Sequence, residues 1–271
     1  MVFGRTFSFG ASLLTSLHCL GTGGYHPNER RHTSCYVVPE WGLMLDAGTA
    51  TFRAGPLLNP DRLDIVLSHA HLDHTFGLTV LLDLLYRQPV ERVLLWAAAA
   101  KLEAVRTCLF NEHLFPVPLK IEFCELPESG GLELPRCELT WRAQEHPGGS
   151  LAYKLVGDDG EMVFATDTYG DLTSAFSDWC DGTSLLVHEC YFKDDQKELA
   201  KKTGHTYTSR MIEVLQSIRP ERVVLTHLNP LDTSDDPVGM DDIVAATDCD
   251  VILAEDRLEV PLRVSSSAKA R

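Results

Sequence analysis

Short apolar segments separated by turn-forming residues recur along the whole chain. They are rich in aliphatic and β-branched residues, and many are bounded by Gly, Pro or Asn, which is typical of strands. We predict strands at the segments LHCL, SCYVV, GLMLDAG, LDIVLS, RVLLWA, LKIEF, ELTWRA, SLAYKLV, EMVFAT, SLLVHE, RVVLTH and DVILAE.

Helical patterns lie between these strands. A 3.6-residue apolar period predicts helices at residues 74–88, 97–110, 194–202, 208–218 and 239–246. Strands dominate the first half and alternate with helices in the second, which favours an α/β fold of packed sheets with helices outside. Because no repeat and no Ser/Pro linker divides the chain, we predict a single domain over residues 1–264 and a flexible tail over residues 265–271.

The charge of the chain argues against a polyanionic partner. Its 271 residues carry a net charge of −15, with ordinary globular fractions of hydrophobic (44%) and charged (23%) residues. A broad basic surface that grips a phosphate backbone is therefore not expected, and long nucleic acid is not the expected partner.

Cysteine usage and hydropathy indicate the compartment. The eight cysteines contain no Cys-x-x-Cys pair and lie mostly within apolar segments, which is typical of buried free thiols in a reducing cytosol. Glycine and polar residues interrupt every apolar cluster of residues 1–24, so a cleaved signal is not predicted. No apolar run approaches the ~20 residues that cross a bilayer, and we predict a cytoplasmic protein without a membrane partner.

The stretch SHAHLDH, residues 68–74, directly follows the predicted strand LDIVL. Imidazole nitrogen and carboxylate oxygen are preferred zinc ligands, and alternate residues of an extended segment point to one side. His69 and His71 can therefore reach one cation. Asp73 and His74, in the first turn of the following helix, would turn toward a second cation.

Three further polar residues end apolar strands. His146 follows ELTWRA, Asp167 ends EMVFAT and His227 ends RVVLT. Open sheets deliver functional groups to one edge in this way. Each residue alone could be a capping or turn residue, but together with the histidine motif they are candidate ligands.

These motifs resemble the metallo-β-lactamase superfamily, whose fold is a four-layer αββα sandwich with a dinuclear metal site on one edge. The resemblance to its ribonuclease Z branch and phosphodiesterase relatives rests on the histidine motif and on CLGTGGYHPNERRHTS, LMLDAG, ATDT, LLVHEC, GHTYTS and LTHLNP. It implies that one metal binds His69, His71 and His146, that a second binds Asp73, His74 and His227, and that Asp167 bridges them.

The expected metals are two zinc ions, although the ligand types leave manganese and iron open. The oxygen-reducing di-iron relatives carry a carboxylate where this chain has His71, which disfavours a redox role. Paired cations lower the pKa of bound water toward ~7 and so provide a bridging hydroxide for hydrolysis.

The resemblance also implies a general acid, His205 in GHTYTS, oriented by Glu189. An unbound histidine titrates near neutral pH and suits this role. Strand alternation sends His188 and Glu189 to opposite faces, so only one of them should face the site. The candidate catalytic residues are therefore Asp73, His205 and Glu189, while a helix-start role for His205 and a structural role for Glu189 are the alternatives.

The loop NERRHTS resembles the loop near the substrate phosphate in ribonuclease Z. Arg30 or Arg31 could bind a phosphate there, and ordinary surface charge is the alternative interpretation. Four other histidines are predicted to be packing or surface residues: His18, His26, His32 and His113.

One departure from the family narrows the substrate. Bacterial ribonuclease Z carries a tRNA-clamping arm between the third histidine ligand and the bridging aspartate, whereas His146 and Asp167 are joined here by a plain strand, turn and strand. We therefore predict a phosphodiesterase for small phosphodiesters or nucleotides.

The alternative functions are a tRNA 3'-processing endoribonuclease and a lactonase-like or glyoxalase II-like hydrolase of carboxyl esters or thioesters. The latter relatives read His-x-Pro-Gly-His at the third ligand, and the second histidine is absent from HPGGS. A metal-free scaffold would not explain the intact ligand set. A homodimer is compatible with the branch, but the sequence has no diagnostic apolar patch.

Overall fold

The computed structural model describes residues 15–128 and 130–263. Within these ranges the strands are, in chain order, β1 (Ser16–Gly21), β2 (Cys35–Val38), β3 (Leu43–Ala47), β4 (Arg62–Val66), β5 (Arg92–Ala97), β6 (Glu122–Glu125), β7 (Gly131–Glu133), β8 (Cys137–Gln144), β9 (Ser150–Gly157), β10 (Gly160–Ala165), β11 (Leu185–Glu189), β12 (Arg222–Thr226), β13 (Asp250–Leu253) and β14 (Leu258–Pro261). The α-helices are α1 (Leu72–Thr75), α2 (Leu81–Arg87), α3 (Ala99–Ala104), α4 (Ser174–Cys180), α5 (Lys197–Thr203), α6 (Thr208–Ile218) and α7 (Met240–Ala246).

The strands form two mixed seven-stranded sheets. The first sheet has the order β14-β1-β2-β3-β4-β5-β6, with antiparallel pairing from β14 to β3 and parallel pairing from β3 to β6. The second has the order β13-β12-β11-β10-β9-β8-β7, parallel from β13 to β10 and antiparallel beyond.

A continuous apolar core joins the facing sides of the two sheets. Tyr36 of the first sheet meets Phe164 of the second edge-to-face, with 5.1 Å between ring centroids. The outer face of the first sheet packs on apolar residues of α2 and α3, and the outer face of the second packs on α4, α6 and α7. The four-layer αββα prediction is therefore confirmed.

Local periodicity explains these layers. On β11, Leu185 and Val187 enter the core between the sheets, whereas Leu186 enters the helix layer, as alternation in a strand requires. On α6, the buried residues follow helical spacing, which produces one apolar stripe against the sheet. They are Thr208, Met211, Val214, Leu215 and Ile218.

The predicted helix at residues 74–88 is interrupted. Helix α1 ends at Thr75, a 3₁₀ segment covers Phe76–Val80, and α2 begins at Leu81. Gly77 lies against the backbone of Gly48, so close that an added Cβ would lie 2.1 Å from the Gly48 carbonyl oxygen. The segment is thus shaped by a tertiary contact that the apolar period does not reveal.

Other element boundaries also differ from the prediction. The helix predicted at residues 97–110 continues beyond α3 as a π-helical segment, Val105–Leu109, and the helix predicted at residues 194–202 opens with a 3₁₀ turn, Asp194–Gln196. Strands β7 and β14 and helix α4 were not predicted. Helix α4 has only seven residues, and its clearest signal is its N-cap, Thr173, whose hydroxyl accepts from the Phe176 N–H at 3.3 Å.

Two predictions concern the ends of the chain or its environment. The tail predicted at residues 265–271 lies outside the described residues, and the single domain over residues 1–264 stays a prediction. No helix in the described part of the chain combines the length and apolarity needed to cross a membrane.

The cysteines allow a direct test of the packing. All eight are free thiols, and five are buried: Cys19, Cys35, Cys137, Cys180 and Cys190. Burial raises the pKa of the Cys19 and Cys35 thiols to about 12, which suppresses the reactive thiolate.

We expect an aromatic disulfide reagent to modify exposed Cys108 promptly, and the five buried cysteines only after denaturation. Measuring the thiolate that the reagent releases, with and without guanidinium, checks this. The Cys108→Ser variant should lack the rapid phase of modification. Rapid modification of the five buried cysteines in the native protein would contradict the packing.

Candidate metal centre and catalytic histidine

Seven side chains predicted as ligands meet at one edge of the sandwich. The loop after β4 and the start of α1 supply His69, His71, Asp73 and His74 from the first sheet. The second sheet contributes residues that come one or two positions after three of its strands: His146 after β8, Asp167 after β10 and His227 after β12. This matches the general tendency of ligand sites to lie beyond the carboxyl ends of strands.

The first cluster contains His69, His71, His146 and Asp167, whose donor atoms all lie within 4.8 Å of one another. His146 Nε2 is 3.4 Å from His71 Nδ1. Asp167 Oδ1 is 3.6 Å from His69 Nε2 and 3.5 Å from His146 Nε2. Three imidazoles and one carboxylate oxygen therefore face a common point.

The second cluster contains Asp73, His74, Asp167 and His227. Asp167 Oδ2 is 3.0 Å from His74 Nε2 and 3.2 Å from His227 Nε2, and these two nitrogens are 3.2 Å apart. Asp73 Oδ2 is 3.3 Å from each of the same nitrogens. Asp167 belongs to both clusters and uses a different oxygen in each.

The donor set fits divalent metal ions. Tetrahedral ligands at ~2.1 Å from a metal are ~3.4 Å from one another, which is close to the spacing of these donors. In addition, the buried Nε2 of His69 has no hydrogen-bond partner among the described residues, although it faces the first cluster. A cation would satisfy this nitrogen, and metal binding itself stays a prediction.

The pKa shifts of His69 and Asp167 agree with a ligand role. Burial, with neighbouring His74, holds the pKa of His69 well below its ordinary value, so this ring is neutral. Burial alone would raise the pKa of Asp167, but His227 and His74 outweigh it and hold that pKa well below its ordinary range. Neutral imidazole and ionised carboxylate are the forms that bind metals. Burial alone would lower the pKa of His74, but the surrounding carboxylates outweigh it and raise this pKa well above its ordinary value, so the ring would lose a proton on binding a metal.

Buried partners orient the candidate ligands. The Asp46 carboxylate accepts from His74 Nδ1 at 2.8 Å and from the Ser68 N–H at 2.7 Å. His146 Nδ1 donates to the Gly204 carbonyl at 3.1 Å. Such contacts fix the orientation of a metal-binding imidazole. Asp46 was not predicted as a site residue, and its signal was a carboxylate within the otherwise apolar LMLDAG segment.

The imidazole ring of His227 is positioned by packing and not by a hydrogen bond to its Nδ1. Its buried Nδ1 has no hydrogen-bond partner among the described residues. A methyl group added to Gly24 would lie 2.4 Å from Cε1 and 2.6 Å from Nδ1 of this ring. The ring of Tyr191 lies 5.6 Å away on centroids. Gly24 thus leaves the space that His227 occupies, a role that the sequence did not suggest.

Next to the clusters, His205 Nδ1 lies 3.0 and 3.1 Å from the two carboxylate oxygens of fully buried Glu189. The ring of Tyr191 stacks on His205 with 4.5 Å between centroids and a 17° interplanar angle. Burial alone would lower the pKa of His205, but the Glu189 carboxylate outweighs it and raises the pKa to about 9. His188 lies on the other face of β11, where its Nδ1 donates to the Glu189 carbonyl at 2.7 Å.

A cavity of about 870 Å³ opens above the clusters. Its wall contains His205 and the clustered residues His71, Asp73, His146, Asp167 and His227. Other wall residues include Tyr25, His26, Leu72, Lys202 and Thr203. His26, which the sequence suggested was a packing or surface residue, therefore lines the cavity.

The comparisons with known proteins agree with this arrangement. Residues 42–228 match the beta-lactamase superfamily domain, which is more than half of the chain. The chain belongs to this superfamily. The metallo-β-lactamase assignment from the sequence motifs is thereby confirmed.

Several known proteins are similar to this chain along most of their length. Ribonuclease Z of Gemmatimonas aurantiaca is 25% identical over 78% of this chain and 84% of its own. The crystal structure of the short form of human tRNase Z has a TM-score of 0.70 at 20% identity and covers 92% of this chain and 100% of its own. A diphosphatase from the PhnP family has a TM-score of 0.70 at 17% identity, with 92% and 98% covered.

Two predicted site residues, Arg30 and Arg31, are not among the residues that line the cavity. Arg30 Nη2 and Arg31 Nη2 lie 3.0 and 2.7 Å from the same Glu255 oxygen, and Arg31 is buried. Neither arginine lines the cavity. Because Glu255 already pairs both guanidinium groups, their placement does not support the predicted phosphate-binding role.

Substituting Gly24 tests the packing of His227. In Gly24→Ala the new methyl group must displace the imidazole, so we expect the zinc content after dialysis to fall from about two ions per chain toward about one. Elemental analysis measures this without reference to activity. Gly131→Ala is the matched control, because its methyl group would meet Thr140 Cγ2 at an ordinary 3.9 Å. An unchanged metal content in Gly24→Ala would refute the positioning role.

Proposed function

We propose that this protein is a phosphodiesterase that hydrolyses small phosphodiesters with the help of two divalent cations, zinc being the expected metal. The observation that carries the proposal is the His205–Glu189 pair, with its 3.0 Å contact, beside two histidine and aspartate clusters that share Asp167. With cations bound, the two clusters could hold and activate a phosphoryl group, while the adjacent histidine could donate a proton to the leaving group.

In this proposal each cluster binds one cation. His69, His71 and His146 hold the first, Asp73, His74 and His227 hold the second, and Asp167 contacts both. When bound, the cations would lower the pKa of water and neutralise negative charge on the phosphoryl oxygens. Buried Asp46 would keep the imidazole of His74 aligned with the second cation.

His205 would donate a proton to the departing oxygen. With its pKa raised to about 9 by Glu189, the ring is protonated at neutral pH. The Glu189 carboxylate accepts a hydrogen bond from the Nδ1–H of His205, and this leaves the Nε2–H to donate its proton to the leaving group. The stacked Tyr191 ring restricts rotation of the imidazole, so the proton is held in one direction. Proton donation of this kind contributes roughly 10²- to 10⁴-fold to a rate.

Three features favour a small substrate over a folded RNA. Strands β9 and β10 form a hairpin closed by Asp158 and Asp159, with no insertion where the resemblance places a clamping arm. The net charge of −15 repels polyanions. Among the described residues that line the cavity, Lys202 is the single lysine or arginine.

The cavity and the relatives support the same substrate class. A volume of about 870 Å³ is within the usual range of roughly 300–1,000 Å³ for small-molecule sites. The names of two similar proteins, ribonuclease Z and diphosphatase, refer to phosphate-containing substrates. The same ribonuclease Z relatives make endonucleolytic cleavage of RNA the second candidate function.

A side-by-side assay tests the proposed function. The zinc-loaded protein should hydrolyse an aryl phosphodiester and a cyclic nucleotide, lose this activity on chelation, and regain it when zinc or manganese is restored. A thioester and a precursor tRNA with a 3' trailer should be poor substrates. Brisk tRNA cleavage would favour the second candidate, and thioester hydrolysis without phosphodiester hydrolysis would exclude our proposal.

Replacement of the proposed acid should depend on the leaving group. We expect His205→Ala to slow hydrolysis of a dinucleotide, whose alkoxide leaves poorly, by ~100-fold or more. A 4-nitrophenyl ester should lose far less, because nitrophenolate departs without a proton. The ratio of the two kcat values measures the acid role.

The control variant for this experiment is His113→Ala, which alters a strongly exposed histidine outside the cavity and should leave both rates unchanged. Glu189→Gln should give an intermediate loss with the dinucleotide, since an amide can still hydrogen-bond the ring but carries no charge. A loss of equal size for both esters in His205→Ala would remove His205 from the acid role.

A further inference from the structure

We propose that Tyr25 and Leu72 form a base-binding subsite at the mouth of the cavity, which stacks on the nucleobase of a nucleoside phosphodiester. This inference rests on the proposed phosphodiesterase function and makes it more specific.

Tyr25 is exposed at a place where its backbone is tightly held. Its side chain lines the cavity, and the residue is 74% exposed. Its N–H donates to Asp73 Oδ2 at 2.8 Å, and its φ of 57° is unfavourable for a residue with a side chain. Backbone strain of this kind persists where the surroundings enforce it, commonly at ligand sites. The bond to Asp73 thus keeps the phenol ring within one side-chain length of the clusters.

Leu72 adds a second exposed apolar side chain to the cavity wall. It lies between His71 and Asp73 at the start of α1, and it is 69% exposed. Apolar surface in a cavity gains free energy when a ligand covers it. Tyr25 adjoins Asp73 through its hydrogen bond and Leu72 through its peptide bond, so both residues lie next to the second cluster.

A planar base fits these walls better than a sugar or a charged group. Nucleobases stack on exposed aromatic side chains without requiring a specific sequence of hydrogen bonds. The cavity volume of about 870 Å³ accommodates a nucleotide. With Lys202 as the single lysine or arginine among the described wall residues, the cavity suits a substrate with few negative charges.

Two esters with the same leaving group isolate the subsite. Thymidine 5'-(4-nitrophenyl phosphate) and 4-nitrophenyl methyl phosphate both add water at phosphorus and release nitrophenol, but only the first retains a base. The zinc-loaded protein should prefer the nucleoside ester. Tyr25→Ala should reduce kcat/KM for this ester roughly tenfold, mainly through KM, and leave the methyl ester within about twofold.

Further variants separate stacking from loss of structure. Tyr25→Phe should retain the preference because it keeps the ring, and Leu72→Ala should weaken it. Tyr86→Ala is the matched control, since Tyr86 is 85% exposed and does not line the cavity. If Tyr25→Ala fails to fold by circular dichroism, the preference of Leu72→Ala decides, and an unaltered preference in that variant overturns the subsite.

Binding provides a readout that is independent of turnover. By calorimetry on the zinc-loaded protein, thymidine 5'-monophosphate should bind about tenfold more weakly to Tyr25→Ala, whereas inorganic phosphate should bind equally to both. Equal losses for both esters, or no preference in the unmodified protein, would overturn the subsite while leaving the phosphodiesterase intact. Failure to hydrolyse either ester, with nucleotide binding still dependent on Tyr25, would overturn the proposed function alone.

Discussion

The carboxylate of Asp167 is the group that both histidine clusters share. One oxygen faces His69 and His146, the other faces His74 and His227, and all four contacts lie between 3.0 and 3.6 Å. A buried carboxylate is costly unless opposite charge or hydrogen bonds compensate it. The edge of the sandwich must therefore supply positive charge at this point, by protonated imidazole or by cations, and the surrounding geometry follows from that requirement.

The backbone is strained at several residues of this site. Six non-glycine residues of the described chain have a left-handed conformation, and four of them are at the site: Tyr25, Asp46, Asp167 and His227. Each such residue costs on the order of 1 kcal/mol, which only a rigid surrounding structure can sustain. The two sheets and their shared apolar core provide that rigidity, and short hydrogen bonds to Asp46 and Asp73 hold the strained loops in place.

Different elements of the fold position the candidate metal ligands and the proposed general acid. Strand ends from both sheets bring the candidate metal ligands together, while Glu189 at the end of β11 is fully buried and holds His205 outside the clusters. The β9–β10 hairpin is short, and the net charge of the chain is negative. The residues at the mouth of the cavity include Tyr25, His26, Leu72 and Lys202. Under the proposed function, selectivity for a small ligand would depend on these few wall residues and not on an extended basic surface.

The amino-acid sequence by itself determined most strands, most helices and the set of side chains that meet at one edge. Apolar periodicity is local, and strands that end in polar residues deliver them to a shared edge whatever the details of packing. The contacts between residues that are distant in the sequence were determined by the tertiary structure alone. Asp46 bonds His74 across 28 residues, Arg31 pairs with Glu255 across 224, and Gly24 makes room for His227. These contacts depend on distances in the folded chain, which no pattern of neighbouring residues encodes.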